Sequence, residues 1–406
     1  MKALVRALFG DFVPQGTLPG TLRKSRKVQK SRQHWLVESY HRGRDARGLQ
    51  ELIKSIEKTT PPNQQSALAG ATADSFELPP PTNHTPLEES HYVVRNSSTQ
   101  ALFGFCSTTY SPNTHTGALS TLFVDPSKRN LSIGYSLHQR ALRHLLQKPH
   151  ITHLQLGSIL PAIYLGIPMS DLTEGARLKR WFATNGWDVL SPRTIYTLII
   201  RNLALWMPPD GLLSSIQRVP LQFDLIHGPS HAGTQVLDFV QTHSARAEIH
   251  CLYHLAIADP HACGIVRAKS PIDGSLVGTV IISRSDTVLS RWMPVLRSSP
   301  SADPHSPNAN AGDAKGKEKE GEDGHHLGGI LAPVIPSNNG QRETILQGLI
   351  MLSIRQNKNK GDGKGVVLNW VVGGDRDVLL GMGFDVLEAW EEIVCGVERW
   401  SEMNLG

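Results

Sequence analysis

The chain has 406 residues, 39% of them hydrophobic, and a formal net charge of +5 with histidine counted as neutral. This length allows two or three domains with packed cores, and so mild a positive charge does not argue for a nucleic-acid partner. The four cysteines form no C-x-x-C pair and no histidine pair has H-x-x-x-H spacing on a predicted helix, so neither a metal site nor a disulfide framework is expected. No apolar run reaches the roughly 18–20 residues that cross a membrane. A soluble, cytoplasmic protein is the expectation.

The most informative stretch joins a predicted strand, a basic loop and an amphipathic helix. The strand covers residues 117–124 and the loop residues 128–134. The helix that follows repeats apolar residues at helical spacing, at Ile133, Leu137, Ala141 and Leu145. The first N–H groups of a helix have no partner within it and the dipole favours an anion there, so this arrangement is suited to a pyrophosphate. The dinucleotide fingerprint G-x-G-x-x-G and the phosphate loop G-x-x-x-x-G-K-[ST] are both absent.

The stretch resembles motif A of the GNAT superfamily, the acyl-CoA-dependent N-acyltransferases, whose loop reads Arg/Gln-x-x-Gly-x-Gly/Ala. Serine replaces the first glycine here, and serine keeps the amide but reaches a positive φ at higher cost. The resemblance implies that acetyl-CoA is the cofactor and that an amide of Phe123 or Val124 receives the thioester carbonyl. It also implies that the amides of the loop bind the pyrophosphate. The loop consists of Arg129, Asn130, Leu131, Ser132, Ile133 and Gly134. An ordinary strand–turn–helix connection is the other reading of the pattern.

The elements predicted around this motif follow the order of a GNAT domain over residues 33–208. Strands are predicted at 35–40, 91–96, 101–110, 117–124, 151–156, 188–190 and 194–201, and further helices at 45–58 and 172–185. A polar segment at 59–88 is predicted to be a mobile loop and 157–169 an apolar loop. The segment from Trp181 to Trp187 also resembles the family's ending of the last helix.

A weaker copy of this order follows over residues 209–406. Strands are predicted at 223–227, 249–258, 264–269, 276–283, 329–336 and 366–371, and helices at 232–243 and 341–355. A polar insertion at 298–326 is predicted to be disordered. The fold prediction is therefore a mixed α/β (α+β) sheet with two tandem GNAT-like domains. The second is degenerate because its loop, 337–340, lacks the motif, although it still offers amides.

Residues 7–21 resemble the end of the C-terminal domain of family 3 glycoside hydrolases. The resemblance rests on the spacing of Pro14, Gly16, Leu18, Pro19 and Thr21. It implies that residues 1–32 are a remnant of that domain plus a basic connector. Fungal fusions of a family 3 β-N-acetylglucosaminidase with GNAT domains are the implied context, so a hydrolase domain is an expected partner and an amino sugar a candidate acceptor. No glycosidase activity is inferred for the chain.

Acyl transfer to an amine needs a group that takes the amine proton and a donor for the leaving thiolate. The family's thiolate acid is often a tyrosine in the last helix, where this chain has Phe182. Tyr164 and Tyr135 are the candidate substitutes, with packing as the alternative for each. The candidate bases are Glu174, Asp171 and His115, with a surface or capping role as the alternative.

The predicted function is N-acetyl transfer from acetyl-CoA to a primary amine. The rival prediction is a non-catalytic pseudo-acetyltransferase that packs on or stabilises a β-N-acetylglucosaminidase. Ser132 and Phe182 are the residues that favour the rival, since each departs from the family pattern.

Overall fold

The computed structural model describes residues 34–60, 68, 70–79, 87–169, 172–190, 192–284, 287–297, 327–359 and 365–401. The predicted hydrolase remnant, the predicted disordered insertion and Asp171 lie outside the described residues. Trp35–Gly406 form one compact unit. Among the described residues, no helix is both long enough and apolar enough to cross a membrane.

The first half of this unit holds β1 to β7 and α1 to α3. Its strands are β1 (Glu38–Ser39), β2 (Glu88–Arg95), β3 (Leu102–Ser111), β4 (Thr116–Val124), β5 (His153–Leu156), β6 (Ile167–Pro168) and β7 (Arg193–Ile200). Its helices are α1 (Arg42–Thr59), α2 (Ile133–Leu146) and α3 (Leu172–Thr184), with 3-10 turns at Ala73–Phe76 and Pro126–Lys128.

The second half holds β8 to β13 and α4 to α10. Its strands are β8 (Gln222–Ile226), β9 (Cys263–Lys269), β10 (Leu276–Ser283), β11 (Leu327–Val334), β12 (Gly365–Val372) and β13 (Asp385–Gly396). Its helices are α4 (Leu212–Arg218), α5 (His231–His243), α6 (Ala247–Ala258), α7 (Val288–Trp292), α8 (Arg342–Asn359), α9 (Gly373–Gly381) and α10 (Glu398–Ser401).

The two halves share one sheet, in the order β1-β2-β3-β4-β5-β13-β7-β12-β11-β10-β9-β8. β13, from the second half, lies between β5 and β7 and is antiparallel to both. β7, from the first half, pairs with β12 of the second. The last strand of each half, β7 or β13, therefore pairs with a strand of the other half. Among the described strands, only β4–β5 and β11–β12 pair in parallel.

Helices α1 and α2 cover opposite faces of the first-half sheet. The apolar stripe of α2 packs with Leu119, Leu154 and Leu156. The stripe of α1 packs with Phe105 and Phe123 on the other face. Leu119 and Phe123 lie four residues apart in β4 but face different helices, because the register with β3 shifts between Leu119 and Thr121 and leaves Ser120 as an extra residue. Leu119 therefore faces α2 and Phe123 faces α1.

Two predicted strands are wrong. Residues 249–258 form most of helix α6, whose side chains are buried on several sides, with Tyr253 fully buried. A short apolar run does not by itself distinguish a buried helix from a buried strand. Residues 188–190 form no strand, since the Asp188 carboxylate accepts the N–H of Leu190 at 3.2 Å and bends the chain.

The segment predicted as a mobile loop, 59–88, is partly packed where the structure describes it. Leu68 and Phe76 are 1% exposed and belong to the α1 core. Because the segment is polar in composition, the sequence analysis did not predict that these two apolar residues would be buried.

The helical assignment of α6 also corrects the reading of the histidines. His250 and His254 lie one turn apart on α6, with ring centroids 4.6 Å apart. Among the described residues, no group of three or more His, Cys, Asp or Glu side chains is placed to hold a metal ion. A pair of ligands alone does not make a metal site.

Candidate cofactor and acyl-transfer site

β4 and β5 separate partway along their length and form a fork. They pair in parallel only from Thr116–His153 to Leu119–Leu156. Gly157 then donates its N–H to the Leu119 carbonyl at 3.0 Å and turns the chain away with a φ of +83°. A side chain at Gly157 would also clash with the backbone of Leu165. β4 continues from residue 120 to 124 with β3 on one side and the open fork on the other.

The loop between β4 and α2, residues 125–134, leads from the fork to a helix N-terminus; we call it the cofactor loop. Asn130 and Ser132 both have a left-handed backbone, with φ of 66° and 63°. Ser132 is the N-cap of α2 and its side chain makes no capping hydrogen bond. The first-turn amides of α2 have no acceptor within the helix, and Arg129, Asn130 and Leu131 are exposed beside them.

Ser132 thus takes the positive φ that glycine gives the family motif. The left-handed conformation costs an L-residue roughly 1–2 kcal/mol. The strained conformation does not disturb the helix, because the Ser132 carbonyl still accepts the N–H of Ser136 at 3.0 Å as the first hydrogen bond of α2. The departure from the family pattern therefore preserves the shape of the loop.

Trp35, which lies far from the cofactor loop in the sequence, is hydrogen-bonded to Leu131 of the loop and to Ser136 of α2. Its indole N–H donates to the Leu131 carbonyl at 2.6 Å, and its backbone N–H donates to the Ser136 hydroxyl at 3.1 Å. The indole also packs edge-on against Phe103 at 5.9 Å. The sequence analysis gave Trp35 no role, and the separation of about a hundred residues in the chain leaves no local signal of it.

Tyr164 lies in the fork, between β4 and β13. Its ring centroid is 5.8 Å from that of Phe123 and 5.7 Å from that of Trp390. Burial raises the pKa of the Tyr164 hydroxyl, the negative charge of Glu388 raises it further, and the positive charge of Arg129 opposes both. Tyr164 therefore stays a hydrogen-bond donor at neutral and moderately alkaline pH.

The structure places the other candidate acids and bases less favourably. Tyr135 follows the cofactor loop in the first turn of α2 and is half-buried. Glu174 forms a helix-surface ion pair with Arg177 at 2.7 Å. His115 precedes the opposite end of β4, about 30 Å of extended strand from Val124. Neither Glu174 nor His115 is brought to the fork by a contact of the described residues.

The remaining predicted positions act through their backbone or their packing. Phe123 is 2% exposed and its ring belongs to the α1 core, so only its backbone can serve the fork. Val124 pairs with Gly104 of β3. Ile133 is buried, and its side chain packs into the core at the start of α2. Phe182 packs between Trp181 and Trp187.

A cavity of about 460 Å³ opens on the sheet face opposite α2. Its wall combines side chains of β3, β4, β5 and β13 with the start of α6, including Thr109, Ala118, Gln155, Arg246, Glu248 and Glu392. The Gln155 amide donates to Glu248 at 2.6 Å. Sequence reasoning missed Glu248 and Glu392 because α6 was predicted as a strand and β13 was not predicted at all.

Residues 53–161 match the model of the acetyltransferase (GNAT) family. The matched range contains β2 to β5, the cofactor loop and α2. Acetyl-CoA is the cofactor of this family, as the motif predicted. No curated protein matches the chain in sequence.

Two solved structures show the same fold. One is the GCN5-related glucosamine N-acetyltransferase region of a fungal multi-domain GH3 β-N-acetylglucosaminidase, with 16% identity and a TM-score of 0.66. The alignment covers 97% of this chain but 42% of that one, so this chain spans less than half of that protein. The other is a tandem GNAT protein from the clavulanic acid biosynthesis pathway, with 13% identity, a TM-score of 0.54 and coverage of 89% and 98%. The predicted mixed α/β fold of tandem GNAT type is confirmed.

Proposed function

We propose that the chain transfers the acetyl group of acetyl-CoA to the primary amine of a small molecule, because residues 53–161 match the model of the acetyltransferase (GNAT) family. The observation that carries the proposal is the β4–β5 fork with a loop of open amides at its end. An amino sugar is the proposed acceptor class. Its support is the similarity to a region described as a glucosamine N-acetyltransferase.

The residues of the cofactor loop fit a pyrophosphate. Exposed Arg129 supplies a guanidinium, and the start of α2 supplies amides and the positive end of a helix dipole. Acetyl-CoA, when bound, supplies the thioester. The open edge of β4 at 123–124 offers backbone donors to its carbonyl, which gains negative charge as the amine attacks.

Tyr164 is the proposed proton donor to the leaving thiolate. It lies in the fork against Phe123, and its hydroxyl keeps its proton because burial raises its pKa. The amine must attack in its neutral form, so its proton passes to solvent or to a base before bond formation. Tyr135 is the second candidate donor, next to the cofactor loop.

The test combines calorimetric titration of acetyl-CoA with thiol release on amino sugars, polyamines and peptide amines. Turnover should rise with pH as the acceptor amine loses its proton. It should not fall near pH 10, the usual pKa of tyrosine, because the pKa of Tyr164 is raised. Tyr164→Phe should lower turnover more than it weakens acetyl-CoA binding, since a thiolate acid acts mainly in the transition state.

Tyr135→Phe is the matched control, because it removes the other candidate hydroxyl. If it alone lowers turnover, the donor role moves to Tyr135. Acetyl-CoA binding without thiol release on any acceptor would favour the non-catalytic module. A chain that does not bind acetyl-CoA would contradict the enzyme proposal.

A further inference from the structure

Three polar side chains form a row across the sheet, from β2 to the open part of β4; we call it the polar row. His91 of β2 is directly opposite Ser107 of β3, and Ser107 is directly opposite Thr121 of β4. β4 and β5 stop pairing at Leu119, so Thr121 lies on an arm of the fork. The polar row therefore leads from the fork to β2, and it begins two residues before the amide of Phe123.

The polar row faces α1, on the side of the sheet opposite α2. Val93, Phe105 and Phe123 belong to the α1 core. Each lies two residues from a member of the polar row in the same strand, so their side chains share one face. Tyr164 packs against the same core and contacts Phe123. The proposed proton donor and the polar row therefore meet the fork from the same face.

The polar row contains a buried hydroxyl that has no hydrogen bond among the described residues. It belongs to Thr121, which is 2% exposed. Buried polar groups are normally hydrogen-bonded, so this exception needs a physical explanation. The next hydroxyl, that of Ser107, lies 3.1 Å from His91 Nδ1. Directly opposed residues of antiparallel strands have Cβ atoms about 4.5–5.5 Å apart, so rotation of the side chain can bring the Thr121 hydroxyl to that of Ser107.

A carboxylate lies beyond the other end of the polar row. Glu89 Oε2 is 3.5 Å from His91 Nε2. Its negative charge favours a proton on Nε2, which leaves Nδ1 to accept the Ser107 hydroxyl proton, and it stabilises the imidazolium that would result. The His91 side chain is 9% exposed and that of Glu89 is 29% exposed. A proton that reaches His91 therefore has a partly exposed carboxylate through which to leave.

The other ionisable groups around His91 are neutral or paired. Tyr40 packs edge-on against the His91 ring, with centroids 5.8 Å apart. Burial and the negative charge of Glu77 raise the pKa of Tyr40 to about 12, so it stays neutral. Glu77 is itself paired with Arg42 at 2.6 Å and with Arg291 at 3.3 Å. The carboxylate beyond the end of the polar row is therefore the group that balances a protonated imidazole.

We propose that His91, acting through Ser107 and Thr121, takes a proton from the acceptor amine at the fork. The inference rests on the proposed acyl transfer. The ammonium group gives one proton to the Thr121 oxygen, while Thr121 passes its own proton to Ser107 and Ser107 passes its own to His91 Nδ1. The neutral amine then forms the C–N bond, and the C–S bond breaks with its electron pair on sulfur. Of the three ammonium protons, one stays on the amide nitrogen, one reaches the thiol through Tyr164, and one leaves through His91.

Thr121→Val tests the first step of this path. Valine keeps the shape of threonine, and the lost hydroxyl has no partner, so thermal stability should not fall. We expect kcat to fall at least about fivefold at about one pH unit below the pKa of the acceptor amine, and less than about twofold at one unit above it, where most of the amine is already neutral. The Kd for acetyl-CoA should not change. His91→Gln should show the same pH-dependent loss.

Thr108→Val is the matched control. Thr108 is next to Ser107 in β3, but it points to the other face of the sheet, and its hydroxyl donates to the Ser90 carbonyl at 3.0 Å. The control should therefore lower the Tm and leave kcat unchanged, the opposite of the result for Thr121→Val. A wild-type kcat in Thr121→Val at every pH, or a loss of equal size at every pH, would overturn the proton path.

Histidine NMR of the full chain gives a readout that does not require activity. The signals that disappear in His91→Gln identify this imidazole. Its neutral form should carry the proton on Nε2, and the Nδ1 signal should shift in Ser107→Ala because the hydroxyl bond is lost. If acetyl-CoA binds but no acceptor is acetylated, the proposed function fails and NMR alone decides the path. A proton on Nε2 then supports the path, and a proton on Nδ1 overturns it.

Discussion

The loop after β4 and the loop after β11 occupy equivalent places in the two halves, but they treat their polar groups differently. In the first, Arg129 is exposed and Ser132 caps nothing with its side chain. In the second, the Arg342 guanidinium donates to the Ile335 carbonyl at 2.6 Å and to Asp375 at 3.1 and 2.5 Å. Each loop also contains one side-chain bond to its own backbone, since Asp125 accepts the Ser127 N–H at 2.8 Å and Asn339 accepts the Gln341 N–H at 2.9 Å. The difference therefore lies in the arginine, which is paired in the second loop and exposed in the first.

The two parallel strand pairs differ in the same way. β11 and β12 pair from Leu327–Gly365 to Leu331–Asn369. Beyond that point Trp370, 5% exposed, is packed in the core, and the Tyr253 hydroxyl donates to the Ala332 carbonyl at 3.0 Å. The second fork is filled by packed core side chains, whereas the first leads to the exposed cofactor loop. That the second half is degenerate stays a prediction.

Gly134→Pro should have the largest effect on this comparison. Proline removes an amide from the first turn of α2 and disfavours the helical conformation of Ile133. We expect acetyl-CoA affinity to fall more than about a hundredfold, in line with the loss of charge-assisted hydrogen bonds worth roughly 1.5–3 kcal/mol each. Titration calorimetry measures it.

Gly134→Ala is the control for that change. It keeps the amide, and its Cβ would meet only Val124 at 3.4 Å, so binding should stay close to wild type. Gly340→Pro, in the second loop, should leave acetyl-CoA affinity unchanged. An equal loss in Gly340→Pro would show that both loops bind the cofactor and would remove the contrast between them.

Arg129→Ala should weaken acetyl-CoA binding about ten- to a hundredfold, because it removes a charge-assisted contact to phosphate. The free energy of unfolding should change by less than about 0.5 kcal/mol, as is usual for an exposed side chain. Calorimetry and denaturant titration on the same samples measure the two quantities. An unchanged Kd would exclude Arg129 from the cofactor site.

Arg342→Ala should produce the opposite result. The half-buried ion pair with Asp375 and the bond to the Ile335 carbonyl are both lost, which should lower the free energy of unfolding by about 1–3 kcal/mol. The Kd for acetyl-CoA should stay the same. A variant with wild-type stability and weaker binding would place a cofactor in the second loop.

Ser132→Gly should have the smallest effect. Glycine adopts a positive φ freely, but it also loses more entropy on folding, so we expect a gain in stability of up to about 1 kcal/mol. Acetyl-CoA affinity should be equal to or slightly better than wild type. Ser132→Ala, which keeps the strain, should show no gain in thermal unfolding. A loss of stability in Ser132→Gly would mean that the serine side chain makes a contribution larger than the strain.

Most of the candidate cofactor site follows from the sequence, because it is local. Ten consecutive residues carry the cofactor loop, and the stripe of Ile133, Leu137, Ala141 and Leu145 defines the helix that follows it. The residues that the second half contributes near β5 could not be predicted in this way. Glu248 lies on α6, which has buried residues on several faces and therefore reads as a strand in the sequence.

The sequence by itself determined the order of most strands and helices, the cofactor loop and the repetition of the pattern in the second half, because hydrophobic periodicity and turn residues act over a few positions. Tertiary structure alone decided that β13 lies between β5 and β7, that Trp35 holds the loop from about a hundred residues away, and that Tyr164 rather than His115 or Glu174 reaches the fork. These features depend on strand pairing and packing between segments that are distant in the sequence. Which segments come into contact is determined by the burial of their apolar side chains and not by a local sequence pattern.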